Sequence, residues 1–193
     1  MKRLLFWKGR GKHNVLEVFL SKMSEEYEVI CFAFEYDSGK LPFCTGSEWD
    51  KWIRQNPCDI WCGISLGASM MYAMATVDAA VCPKEMVLIN PFISRSQLSY
   101  EQRFPMGNQW EIELRNKPLA IDKFNMVLSI HDEKINIHHG IELLNQTSAH
   151  NKRLTLLESD HCLNGSKIQS ELATMLCGKD YCDDQIHQYC YIH

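Results

Sequence analysis

The sequence predicts an α/β protein built on a six-stranded, mostly parallel sheet with helices on both faces. Three observations carry this. Short, near-continuous apolar runs alternate with helix-forming stretches from end to end, the pattern of a sheet buried on both sides. A tight Gly63-Ile64-Ser65-Leu66-Gly67 turn joins one apolar run directly to a helix-forming one. The chain, at 193 residues, is long enough for one domain (1–193) with a proper core.

The elements follow in order. Arg3–Trp7 reads as the first strand and runs into the Gly-rich turn Lys8-Gly9-Arg10-Gly11. Val15, Leu16, Phe19, Leu20 and Met23 recur at helical spacing across Asn14–Ser24. Tyr27–Phe34 is the second strand, and Ser47 is placed to cap the helix that begins at Glu48. Asp59–Cys62 is the third strand, and Leu66–Val77 the helix after the tight turn. Glu85–Asn90, closed by Pro91, is the fourth. Asn125–His131 is the fifth strand, Ile137–His150 a helix, Arg153–Leu157 the sixth strand and Ser166–Leu176 the last helix. One long irregular interval, Phe92 to Phe124, separates the fourth and fifth strands. An insert of that length in an α/β chain reads as the cover of a site.

Composition narrows the partners. The net charge is −4 with both signs dispersed, so no basic stripe suggests nucleic acid. No apolar run is long enough to cross a bilayer. The opening Met1–Gly9 has an apolar part of four residues that stops at Lys8, which reads as a strand and not as a signal peptide. The nine cysteines then read as reduced thiols in a cytoplasmic protein, with Cys31, Cys62 and Cys82 as small core residues. The tail 178–193 is polar and rich in Cys and His. Cys177, Cys182, His187, Cys190 and His193 do not follow the paired C-x-x-C spacing of zinc sites, and neither metal nor cofactor is predicted.

G-x-S-x-G between a strand and a helix is the nucleophile-elbow pattern. Glycines two residues either side of the serine remove side chains that would collide in so sharp a turn, and the Ser65 hydroxyl is presented above the sheet. A serine is a poor nucleophile until a base takes its proton, and the base needs an orienting acid. Asp160-His161 follows the sixth strand, at the sheet edge where loops converge on a site. His161 is the predicted base and Asp160 a turn residue. His131-Asp132-Glu133-Lys134-Ile135 follows the fifth strand. Asp132 is the predicted acid and Glu133 its competitor. Cys62, beside the elbow, is expected to point into the sheet.

With the elbow, the D-x-x-I of Asp132–Ile135 and the final Asp160-His161 in the order Ser, Asp, His, the chain resembles a small member of the α/β-hydrolase superfamily over nearly its whole length. Two departures stand out. The first two strands usual in that family are missing, and the His-Gly pair after the first retained strand is Lys8-Gly9 here. The resemblance implies a serine esterase or thioesterase whose oxyanion hole is formed by the backbone N–H groups of Leu66 and Arg10. It is similar in size to esterases acting on carrier-bound acyl methyl esters.

The insert 92–124 then becomes lid-like, with Tyr100, Phe104 and Trp110 as substrate-binding residues for an apolar acyl group. Arg95, Arg103, Arg115 and Lys117 are either solvated surface charges or a docking face for an acidic acyl carrier protein. An acyltransferase or cyclase using the same triad, and a non-catalytic member of the fold that binds a ligand or partner, are the alternative readings.

Overall fold

The computed structural model describes residues 1–8, 16–32, 48–77, 79–91 and 119–178. Within them six strands form one sheet: β1 (Lys2–Trp7), β2 (Tyr27–Phe32), β3 (Ile60–Ile64), β4 (Glu85–Ile89), β5 (Ala120–Ser129) and β6 (Ser148–Leu157). Their order across the sheet is β2-β1-β3-β4-β5-β6. Every pairing is parallel. The helices are α1 (Glu17–Glu26), α2 (Glu48–Gln55), α3 (Leu66–Val77), α4 (Ile137–Gln146) and α5 (Ser166–Leu176).

The strand side chains sort by parity onto two cores, as the period of two requires. Leu5, Trp7, Trp61, Met86, Leu88 and Met126 face one side, where Ile53 of α2, most of α3 and Leu143 and Leu144 of α4 pack on them. Leu4, Phe6, Ile60, Cys62, Val87 and Val127 face the other, under Phe19 and Met23 of α1 and Leu172 and Ala173 of α5. Helix α3 is apolar nearly all round because it is buried nearly all round: Met70, Met71, Tyr72 and Ala73 are each at most 2 % exposed.

Some boundaries differ from the sequence expectation, for physical reasons. Strand β5 starts at Ala120, so the last residues assigned to the insert 92–124 belong to the sheet. Their charges concealed this. Lys123 pairs with Glu85 at 3.9 Å, and Asn125 Nδ2 donates to the same carboxylate at 2.8 Å. Strand β6 starts at Ser148, taking over the end of the stretch assigned to a helix. It is an edge strand whose first residues are largely exposed and polar, a usual guard against edge-to-edge pairing. Cys31, expected in the core, is exposed; among the described residues β2 is the other edge of the sheet, with a neighbour on one side.

Candidate active site

Ser65 occupies the single residue between the end of β3 and the start of α3. Its φ is 53°, a left-handed conformation that costs a non-glycine residue roughly 1–3 kcal/mol. The surroundings enforce it. Ser65 N–H donates to the carbonyl of Ile89 at 2.8 Å, and its own carbonyl accepts from Ser69 N–H at 3.1 Å as the first bond of α3. A Cβ on Gly63 would lie 2.7 Å from the backbone of Ala68, and one on Gly67 would strike the carbonyl oxygen of Trp7. The elbow therefore packs backbone against backbone on both sides. Gly67→Ala is expected to destabilise the fold by about 1–3 kcal/mol or more, read as a lowered urea midpoint; an unchanged midpoint would contradict the close approach.

His161 is buried, at 7 % exposure, on the loop between β6 and α5. Its Nε2 lies 2.9 Å from Ser65 Oγ, and its Nδ1 lies 2.6 Å from Asp132 Oδ2. A carboxylate can only accept, so the ring carries its proton on Nδ1, and Nε2 is left to accept from the serine hydroxyl. The Asp132 side chain is 2 % exposed. Its other oxygen, Oδ1, accepts from the N–H groups of Lys134 at 2.8 Å and Ile135 at 2.9 Å. Ile135 is buried, at 5 %, and anchors this turn in the core, which aims Asp132 at the imidazole and leaves Glu133 exposed. The start of α3 lies beside Ser65, so the positive end of a helix dipole lies next to this residue.

The histidine loop has its own lock. Asp160 Oδ1 accepts from the N–H groups of Cys162 and Asn164, each at 3.1 Å, and Oδ2 from the Asn164 side chain. Leu163, fully buried, pins the loop to the sheet with φ 56°. Partial burial works against the charged form of Asp160, but the Asn164 and Cys162 donors outweigh it and hold the carboxyl below its ordinary value of 3.8. A depressed carboxyl contributes stability above the ordinary carboxylate range and loses it as pH falls through the depressed value. Asp160→Ala is accordingly expected to lower the melting temperature at neutral pH, with the gap to wild type narrowing in strong acid; a gap independent of pH would show that the charged form is not what holds the loop.

No family model matches the sequence, and no curated protein matches it. Solved structures do. The esterase domain of a Rhodothermus marinus protein is similar over 92% of this chain and 85% of its own, with TM-score 0.65 and 16% identity. A structure from the work on the metagenome-derived lipolytic enzymes LipS and LipT is similar over 92% and 94%, with TM-score 0.63 and 14% identity. RedJ, a thioesterase of the prodiginine pathway in Streptomyces coelicolor, is similar over 92% and 90%, with TM-score 0.58 and 13% identity. The chain has the α/β-hydrolase fold.

Within the α/β-hydrolase fold, Ser65, Asp132 and His161 come from the ends of β3, β5 and β6 and meet at one rim of the sheet. Leu66 opens α3 beside them. Arg10, Tyr100, Phe104 and Trp110 lie outside the described residues, as do Arg95, Arg103, Arg115 and Lys117. Cys62 is wholly buried; burial and the charge of Glu85 push its thiol far up, so it is neutral and unsuited to nucleophilic attack. Among the described residues no helix is long and apolar enough to cross a membrane.

Sequence reasoning passed over three polar residues behind the histidine: Asn90, Ser129 and Ser159, each at most 5 % exposed. Asn90-Pro91 reads in the sequence as an ordinary strand-ending turn. Nothing local marks the two serines as partners of a residue far away in the chain.

Proposed function

We propose that this protein is a serine hydrolase that cleaves a carboxylic ester or thioester through an acyl-enzyme on Ser65. The observation that carries the reading is the hydrogen-bonded chain from Asp132 through His161 to Ser65, at 2.6 and 2.9 Å. In this mechanism Ser65 Oγ attacks the acyl carbon while His161 Nε2 takes the hydroxyl proton. The carbon–oxygen or carbon–sulfur bond breaks, and the imidazolium returns its proton to the departing alcohol or thiol. Water repeats the sequence on the acyl-enzyme, releases the acid and restores the serine. Asp132 holds the imidazole in the tautomer that leaves Nε2 free, and its charge stabilises the imidazolium. The backbone N–H of Leu66 is one oxyanion donor, with Arg10 N–H as the second on the strength of the family resemblance. Each such donor is worth about 3–4 kcal/mol of barrier.

The substrate class rests on the relatives. Several structurally similar proteins are named as esterases or thioesterases, and one is an S-formylglutathione hydrolase. The thiols of Cys31, Cys58, Cys62, Cys82 and Cys162 are in no disulfide, which supports a cytoplasmic setting. The test is a comparison of acyl p-nitrophenyl esters, acyl-CoA and acyl-carrier-protein thioesters with wild type and Ser65→Ala. Serine-dependent release of free acid from at least one class is expected. Serine-dependent transfer to an added alcohol or amine in place of acid would make the protein an acyltransferase. No turnover with any class would leave a ligand-binding role.

A further inference from the structure

We propose that Asn90 is a positioning residue that sets the distance between Ser65 and His161; this rests on the hydrolase reading above. Asn90 directly follows β4 and is 2 % exposed, and its side-chain amide makes three hydrogen bonds. Nδ2 donates to the backbone carbonyl of His161 at 3.0 Å and to Ser129 Oγ at 2.9 Å. Oδ1 accepts from Ser129 N–H at 2.8 Å. Ser129 Oγ in turn shares a hydrogen bond with Ser159 Oγ at 2.8 Å. His131 N–H donates to the carbonyl of Ser159 at 3.1 Å. The amide thus ties together the ends of β4, β5 and β6, and the last two carry Asp132 and His161.

The preceding residue completes the gauge. The carbonyl of Ile89 accepts from Ser65 N–H at 2.8 Å. Two consecutive residues, Ile89 and Asn90, therefore hold the backbone of the nucleophile on one side and that of the base on the other. A side chain that only filled the core would not need a left-handed backbone. Asn90 has φ 46°, an αL conformation that asparagine tolerates better than most residues. Such strain persists only where its surroundings over-determine it, and it gathers at functional sites. A fully satisfied buried amide is rigid, whereas a partly satisfied one is costly.

Two substitutions separate positioning from mere stability. Asn90→Gly keeps the positive φ without strain and removes the amide. Asn90→Asp keeps the shape and the acceptor for Ser129 N–H but cannot donate to His161. Both are expected to lower kcat about 10- to 100-fold, the scale of a displacement of roughly 1 Å at a reacting pair, with KM changed less than about threefold. A second readout does not depend on turnover: the downfield proton resonance of His161 Nδ1–H, expected as a sharp signal in wild type and in Ser65→Ala, and broadened by faster exchange in both Asn90 variants. If either variant fails to fold, Ser159→Ala, one step further along the network, is expected to show the same broadening to a smaller degree.

Variants that keep both kcat and the sharp resonance would overturn the inference while leaving the hydrolase reading intact. A wild type that turns over nothing but loses the resonance on Asn90 substitution would overturn the hydrolase reading and leave the placement of His161 by Asn90 standing.

Discussion

Ser65→Ala is expected to lower kcat on short p-nitrophenyl esters by roughly 10⁴–10⁶-fold, the range seen when the nucleophile of such a unit is removed. The size follows from the arrangement. The hydroxyl and the imidazole act on one proton, so without the oxygen the base has nothing to activate and no acyl-enzyme forms. The fold should survive, because the elbow is held by backbone bonds from Ser65 to Ile89 and Ser69 that alanine retains, and only a small shift in melting temperature is expected. A fluorophosphonate probe should label wild type on Ser65 and leave the variant unlabelled. Residual turnover within tenfold of wild type, from a variant that melts normally, would move the nucleophile elsewhere.

The second large effect concerns the acid. Asp132→Asn is expected to cost about 10⁴-fold in kcat, and Glu133→Gln less than about twofold. Asparagine keeps an oxygen for the N–H groups of Lys134 and Ile135, so the turn stays closed. Its NH₂ group, however, can donate to Nδ1, which would place the imidazole proton on Nε2, facing the serine, and block the transfer. Glu133 is exposed, and no bond ties it to His161. Steady-state kinetics of the two variants decides between the carboxylates: a larger loss in the Glu133 variant would reassign the acid and imply a loop rearranged from the one described here.

The elbow and the two loops were legible in the sequence because each is marked by local chemistry. Glycines flank Ser65 where backbone must touch backbone, and Asp132 is followed at three residues by an isoleucine that goes into the core. Position after a strand then placed His161 at the rim where Ser65 lies. What the sequence could not separate was Asp132 from Glu133, since which of the two faces His161 is set by Ile135 anchoring the turn and not by any difference between the two acids. The starts of β5 and β6 were hidden for an opposite reason: they are strand by pairing and loop by composition, carrying Asp122, Lys123, His150 and Asn151 with their side chains exposed to solvent. Asn90 was invisible as a functional candidate because its partners, Ser129 and His161, lie 39 and 71 residues away. Long-range satisfaction of one amide leaves no periodic trace.

The separation between Ser65 and His161, 96 residues, also bears on how the protein matures. Their contact requires β3, β4, β5 and β6 to be docked in sequence across a parallel sheet, the kind of non-local topology that assembles slowly. Collapsed intermediates lacking the final strand cannot bring the imidazole to the hydroxyl, however much helix they contain. During refolding, recovery of ellipticity should therefore run ahead of covalent capture by a serine-directed probe, which would time the docking of the last strand.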